Sequence, residues 1–181
     1  MRHCLRPITP DDREVLLSIY ASSSADELAL SDWPAAQQRA FIEMQFDAQA
    51  RHYGQQRPRA TCHLILDGNE ATHSRPVGRL WVDRGADTLH VLDITMLPEA
   101  RGQGLGGLLL RELMAEAQQR GTPLTISVEL HNPARKLYER LGFTPQGEVQ
   151  GIYQRMAWQP ATQRQTEQDR KSTRLNSSHS S

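Results

Sequence analysis

The feature that most constrains this chain is a glycine-rich turn between an apolar run and an amphipathic helix. It reads Leu97-Pro98-Glu99-Ala100-Arg101-Gly102-Gln103-Gly104-Leu105-Gly106-Gly107. Leu109, Leu110, Leu113 and Ala117 then recur at helical spacing, Gly121 closes the helix, and the apolar run Leu124 to Leu130 follows. A strand, a helix and a second buried strand in that order form a crossover whose strands lie parallel. Upstream, Thr61 to Leu66, Val77 to Val82 and Leu89 to Leu97 alternate with turns at Asp67-Gly68-Asn69 and Arg84-Gly85-Ala86-Asp87, which predicts an antiparallel meander. The chain should therefore be a mixed α/β domain, its central sheet mostly antiparallel and parallel only at the fourth and fifth strands.

The flanks complete that reading. Leu5 to Ile8 predicts a short strand, and Thr9, Pro10, Asp11 and Asp12 are a helix start, with Val15, Leu16, Ile19 and Tyr20 on one face. A second helix is expected from Trp33-Pro34 to about Tyr53, with Phe41, Met44 and Ala48 on one stripe and Ile42, Phe46 and Gln49 beside it, ending before Gly54 and Pro58. Asn132 should cap a short helix from Pro133 to Leu141, with two closing strands between Phe143 and Trp158. The polar tail 159–181 cannot bury enough surface to offset its ordering entropy and is expected to be disordered, leaving 1–158 as the folded domain. Within that tail, Asp169 to His179 (DRKSTRLNSSH) resembles a reading frame of a common DNA-sequencing adapter, so the natural C-terminus is expected to differ.

Composition narrows the function. Lys and Arg total 21, as do Asp and Glu, so no charge imbalance argues for a nucleic-acid partner. Cys4 and Cys62 are isolated, which disfavours a disulfide scaffold or a zinc site; no metal is expected, and a reducing cytoplasm suits them. No run approaches a membrane span, and the first residues lack the apolar stretch of a signal peptide.

The glycine turn carries the chemistry. At a helix start, unpaired N–H groups and the positive dipole end point the same way, so Arg101, Gly102, Gln103, Gly104, Leu105, Gly106 and Gly107 suit a phosphate or pyrophosphate, with Arg101 as a nearby cation. Gly102 to Gly107 also fits the dinucleotide pattern G-x-G-x-x-G, with Glu129 some distance on. Three preceding strands, Pro98 and Arg101 ahead of the glycines, and too little chain for a second nucleotide-binding half argue against it. The absence of Gly-Lys-Ser/Thr excludes a P-loop.

Arg101, Gly104 and Gly106 meet the acyl-CoA pattern Q/R-x-x-G-x-G/A, and Asn132 to Phe143 (NPARKLYERLGF) matches a second block. On these motifs the chain resembles the GCN5-related N-acetyltransferase (GNAT) family over roughly residues 4–158, and looks like a bacterial branch. The resemblance implies helices on both sheet faces and splayed fourth and fifth strands, with the pantetheine arm of acetyl-CoA bonding like an added strand to Ile94, Thr95 and Met96. It also implies Tyr138 as general acid at the departing thiolate and Asn132 as a further CoA contact. The general base stays open among His90, Asp93 and Glu129. Asp93 stands out because a carboxylate inside the run VLDITML needs a partner to be buried.

The family's acceptor groove maps onto Met44, Gln45, Gln49, His52 and Tyr53 on one wall and Tyr153 on the other. The expected reaction is acetyl transfer to a primary amine of a small molecule or peptide, by direct attack in a ternary complex, since neither cysteine is placed as a nucleophile. A non-catalytic acyl-CoA-binding sensor is the alternative. Either reading suits a monomer or a homodimer.

Overall fold

The computed structural model describes residues 3–29, 31–68 and 74–161. Asn69 of the expected turn and residues 162–181 of the expected disordered tail lie outside the described residues. The elements are β1 (His3–Pro7), α1 (Arg13–Ser23), α2 (Ala25–Ala29), α3 (Ala35–Gln56), β2 (Thr61–Asp67), β3 (Arg75–Arg84) and β4 (Leu89–Met96), then α4 (Leu105–Arg120), β5 (Leu124–Glu129), α5 (Arg135–Arg140), β6 (Thr144–Pro145) and β7 (Tyr153–Trp158). The strands form a seven-stranded mixed sheet in the order β1-β2-β3-β4-β5-β7-β6, with β4 and β5 its parallel pair. Two compact units make up the chain, one from Met1–Arg84 with Val91–Gly106 and the other from Gly85–His90 with Gly107–Ser181. Among the described residues no helix is long and apolar enough to cross a membrane.

In the first unit β1 pairs antiparallel with β2, Leu5 opposite Ile65, and β2 pairs antiparallel with β3, Cys62 opposite Trp81. Alternation along β2 buries Cys62, Leu64 and Leu66 with Leu16 and Ile19 of α1, and Cys4, Ile8, Val15, Phe46 and Trp81 pack around them. The start of α1 is fixed by local chemistry. Pro10–Asp12 forms a single 3-10 turn, the Thr9 N–H donates to Asp12 Oδ2 at 2.6 Å, and Arg6 donates to both Asp12 oxygens at 2.7 and 3.0 Å.

That fork holds the Asp12 carboxyl at about 2, below its ordinary 3.8, chiefly through the Arg6 hydrogen bond. A carboxylate depressed in the folded state contributes stability above its unfolded pKa and loses it as pH falls through the folded value. Arg6→Gln should therefore flatten the loss of thermal stability between about pH 4 and pH 2. Melting curves of parent and variant across that window check this; parallel curves would mean that the pair does not couple to folding.

Two details of α3 go beyond or differ from the sequence reading. Of the two neighbouring stripes, the one with Ile42, Phe46 and Gln49, together with Tyr53, turns toward the unit, while Met44 of the other is 55% exposed. Both stripes carry apolar residues at helical spacing, so periodicity alone cannot choose between them. The helix also runs through Gly54 to Gln56, because one glycine costs a helix only about 1 kcal/mol whereas Pro58 restricts the residue before it. The short helix α2 has no counterpart in the sequence reading, since five residues are too few to show a period.

In the second unit the first residues of β4 meet β5. The Leu89 N–H donates to the Pro123 carbonyl at 3.0 Å, and the His90 ring lies 2.7 Å from Thr125 Oγ1. β5 then pairs antiparallel with β7, Ser127 opposite Arg155 and Glu129 opposite Tyr153. Leu109, Leu110, Leu113 and Ala117 of α4 and Leu124, Ile126 and Val128 of β5 are buried there. Gly121, at φ +65, turns the chain out of α4, and Arg120 donates to the Gly85 carbonyl at 2.5 Å.

Candidate active site

The segment between β4 and α4 belongs largely to the first unit. Gly102 and Gly104 adopt φ of +71 and +81, a conformation that L side chains rarely take. A Cβ added at Gly102, Gly104 or Gly106 would meet nothing within 4 Å, so the backbone here borders open space. Left-handed glycines leading into the first turn of a helix turn successive N–H groups toward a common point, which favours an anion.

Arg101 does not stand free over this space as a sequence-level cation would. Its Nε donates to the Met96 carbonyl at 3.0 Å and its terminal nitrogen to the Ser22 carbonyl at 3.1 Å, tying the turn to the end of β4 and to α1. Gln103 likewise bends back, donating to the Glu99 carbonyl at 2.6 Å. The side chains of this turn thus shape the backbone, and the backbone faces outward. Leu105 is buried, as is Gly107 in the second unit, where the Leu137 side chain lies 3.5 Å from an added Cβ.

On β4, Ile94, Thr95 and Met96 are each half-buried, and their backbone groups are partly committed. The Met96 carbonyl accepts from Arg101, and a Cβ on Gly78 would fall on the Thr95 carbonyl oxygen, so β3 approaches β4 at a distance only glycine permits.

Asp93 has a partner that the sequence reading did not identify. Arg79 of β3 is 2% exposed; its Nε donates to Asp93 Oδ2 at 2.8 Å and its terminal nitrogen to Gln49 Oε1 at 2.7 Å. The guanidinium lies 5.3 Å from the Tyr20 ring centroid and 5.9 Å from that of Phe46, and Thr95 Oγ1 donates to Asp93 at 3.0 Å. This is the satisfied network that a charge in an apolar run requires. The signal was present as a second charge in a second apolar run, Arg79 within VGRLWV.

The acceptor-side residues of α3 separate into two groups. Gln49 and Tyr53 point inward, Tyr53 donating to the Leu92 carbonyl at 3.3 Å and packing edge-on against Trp81 at 5.3 Å between centroids. Met44 and His52 are exposed, and Gln45 is half-buried.

In the second unit His90 is buried against Thr125. Glu129 is exposed at the end of β5 and accepts from the Tyr153 hydroxyl at 3.3 Å. Asn132 Oδ1 accepts from the Ala134 N–H at 2.9 Å in a turn ahead of α5; the helix starts at Arg135 with Ala134 as its N-cap, two residues later than the sequence expectation, because the Asn132 side chain bonds the local turn rather than the helix. Tyr138 is 5% exposed on α5, its ring 6.0 Å from that of Phe143. Cys62 in the first unit is buried, and burial pushes its thiol up to about 12, so it carries no thiolate near neutrality.

Comparison with known proteins agrees with this architecture. Residues 23–143 match the family model described as acetyltransferase (GNAT) family, and the chain belongs to that family. PaiA N-acetyltransferase from Thermoplasma acidophilum, solved in complex with coenzyme A, is 16% identical with a TM-score of 0.64, covering 88% of this chain and 99% of its own. An acetyltransferase from Thermus thermophilus is 22% identical with a TM-score of 0.61, covering 88% of this chain and 97% of its own. Arabidopsis thaliana NAA60, in complex with a bisubstrate analogue, is 16% identical with a TM-score of 0.56 over 88% of this chain and 99% of its own. At such identities the likeness establishes the fold. No curated protein matches the sequence.

Proposed function

We propose that the chain is an acetyl-CoA-dependent N-acetyltransferase that acetylates a primary amine by direct attack in a ternary complex, with 1–158 as its catalytic domain and the cytoplasm as its compartment. The observation that carries this reading is the open backbone cradle at Gly102, Gly104 and Gly106, where left-handed glycines and a helix start suit a pyrophosphate. When bound there, acetyl-CoA supplies an activated thioester. Leu105, Gly106 and Gly107 add amides at the helix start, Ile94, Thr95 and Met96 offer β4 backbone for the pantetheine arm, and Asn132 lies at the entry to α5.

Acyl transfer forms a C–N bond and breaks a C–S bond; the amine gives up a proton and the thiolate takes one. Tyr138, set on α5 by burial against Phe143, is the donor to the sulfur. Among the three carboxylate or imidazole candidates, Glu129 takes the base role. Its carboxylate is exposed, whereas Asp93 is held by Arg79 and His90 is buried against Thr125. A buried thiol pushed to about 12 makes Cys62 unsuited to an acyl-enzyme route.

Calorimetric titration with acetyl-CoA, paired with a thiol-release screen over amines, amino acids and peptide N-termini, tests the proposal. Binding with turnover supports it; binding without turnover on any amine returns the chain to the sensor reading. Gly104→Val should weaken acetyl-CoA binding tenfold or more, because it places a β-branched side chain at positive φ where phosphate must approach. A folded variant with parental affinity would make Gly104 a turn residue only.

A further inference from the structure

The strands β5 and β7 leave one polar face in the second unit. Along β5, Leu124, Ile126 and Val128 are buried while Ser127 and Glu129 are exposed; along β7, Met156, Ala157 and Trp158 are buried while Tyr153 and Arg155 are exposed. The register sets Ser127 beside Arg155 and Glu129 beside Tyr153. Beside this face the β6–β7 connection borders an open groove of about 270 Å³, lined by exposed residues that include Ser127, Glu148, Gln150, Tyr153 and Arg155. The connection is held in place by backbone bonds, from the Gln146 N–H to the Arg155 carbonyl at 2.8 Å and from the Gln150 N–H to the Tyr153 carbonyl at 2.8 Å. The hairpin tip between them is turned by Gly151 at φ +62.

Among the described residues the Arg155 guanidinium has no hydrogen-bond or ion-pair partner, although it sits in the groove wall. Other arginines of the chain are paired with carboxylates, as Arg6 is with Asp12 and Arg13 with Asp47. A guanidinium presented from a strand into a small groove is matched in shape and charge by a carboxylate. The carboxylates of Glu148 in the wall and Glu129 two residues along the face oppose a dianion such as phosphate. They favour instead a ligand with a cationic end. Two residues along a strand span about 7 Å, which the adjacent amine and carboxylate of one α-amino acid bridge when each end adds a hydrogen bond of about 2.8 Å.

We infer that this groove is the acceptor subsite and that the acceptor is a free amino acid, its carboxylate on Arg155 and its amine toward Glu129. The inference rests on the acetyltransferase reading above and adds the substrate class. The volume lies just below the range of about 300–1,000 Å³ typical of drug-sized ligands, so the acceptor is small. Val149 and Ile152, 44% and 57% exposed on the same connection, give an apolar side chain a matching surface.

The test compares L-amino acids with their carboxamides as acceptors, by initial rates of CoA thiol release, for the parent, Arg155→Gln and Arg155→Lys. The parent should prefer the free acid by tenfold or more in kcat/KM. Arg155→Gln should lose the preference through a rise in acceptor KM, and Arg155→Lys should recover part of it. Amide spectra of the labelled protein titrated with L-leucine and with L-leucinamide read the subsite without turnover, and should shift at Ser127 and Arg155 with leucine only. Equal use of acid and carboxamide by the parent, or a preference that survives Arg155→Gln, overturns the subsite while leaving the acetyltransferase reading intact. Failure to bind acetyl-CoA overturns that reading, and the leucine titration then decides the subsite alone: no shift at Ser127 or Arg155 rejects it.

Discussion

Tyr138→Phe is expected to slow acetyl transfer by about 10²-fold while leaving acetyl-CoA affinity close to parental, in the range associated with loss of general-acid assistance. The substitution suits the question because Tyr138 is 5% exposed and packs beside Phe143, so the ring that remains still fills its place. Only the hydroxyl leaves. A tyrosine retained for packing alone would give a folded protein of parental rate. The measurement is single-turnover transfer across pH, since slow product release in steady state would hide a change in chemistry. A donor to the thiolate should also reshape the basic limb of the profile. An unchanged rate and profile would leave protonation of the leaving group to water.

The second large effect concerns stability. Asp93→Ala should destabilise the fold by about 3 kcal/mol, because it strands the Arg79 guanidinium, 2% exposed, without its counter-charge. Gln49 and the Tyr20 and Phe46 rings remain around it, but none carries a negative charge. Asp93→Asn keeps a hydrogen-bond acceptor and should lose less. Chemical denaturation of the two variants gives the ordering. Activity per folded molecule, with its pH profile, separates this positioning role from general-base catalysis: a base would lose its acidic limb in both variants, whereas a strut loses stability first. Equal stability in parent and Asp93→Ala would show that the pair contributes nothing net to the fold.

The contrast between these residues shows what a sequence of this kind exposes. α4 was legible because Leu109, Leu110, Leu113 and Ala117 repeat at helical spacing and Gly121, at φ +65, ends the pattern; Gly106 and Gly107 lie inside its first turn. The meander and the parallel crossover followed from turn chemistry and from the order of elements. The inner face of α3 was not legible, because its two apolar stripes differ only in what packs on them. Arg79 and Asp93 were visible as charges in apolar runs, yet their pairing depends on how two strands approach, which composition does not contain. The same limit applies to Arg101: a basic residue beside a glycine turn suggests an anion contact, while its actual bonds go to the Met96 and Ser22 carbonyls. Arg155 escapes a sequence reading because a lone arginine on an alternating strand looks like solvated surface until the β6–β7 connection is seen to border the same groove.

The burial of Cys62 makes it a clock. Its side chain clusters with Leu16 and Ile19 of α1 and Leu64 and Leu66 of β2, and a thiol held near 12 presents almost no thiolate to a reagent. Alkylation of the native protein must therefore wait for the core of the first unit to open, and the rate at which label enters at Cys62 measures the frequency of that opening. Cys4, half-buried on the neighbouring edge strand, supplies a second reading from the same chain, so that fraying of β1 and rupture of the core can be timed separately without adding a probe.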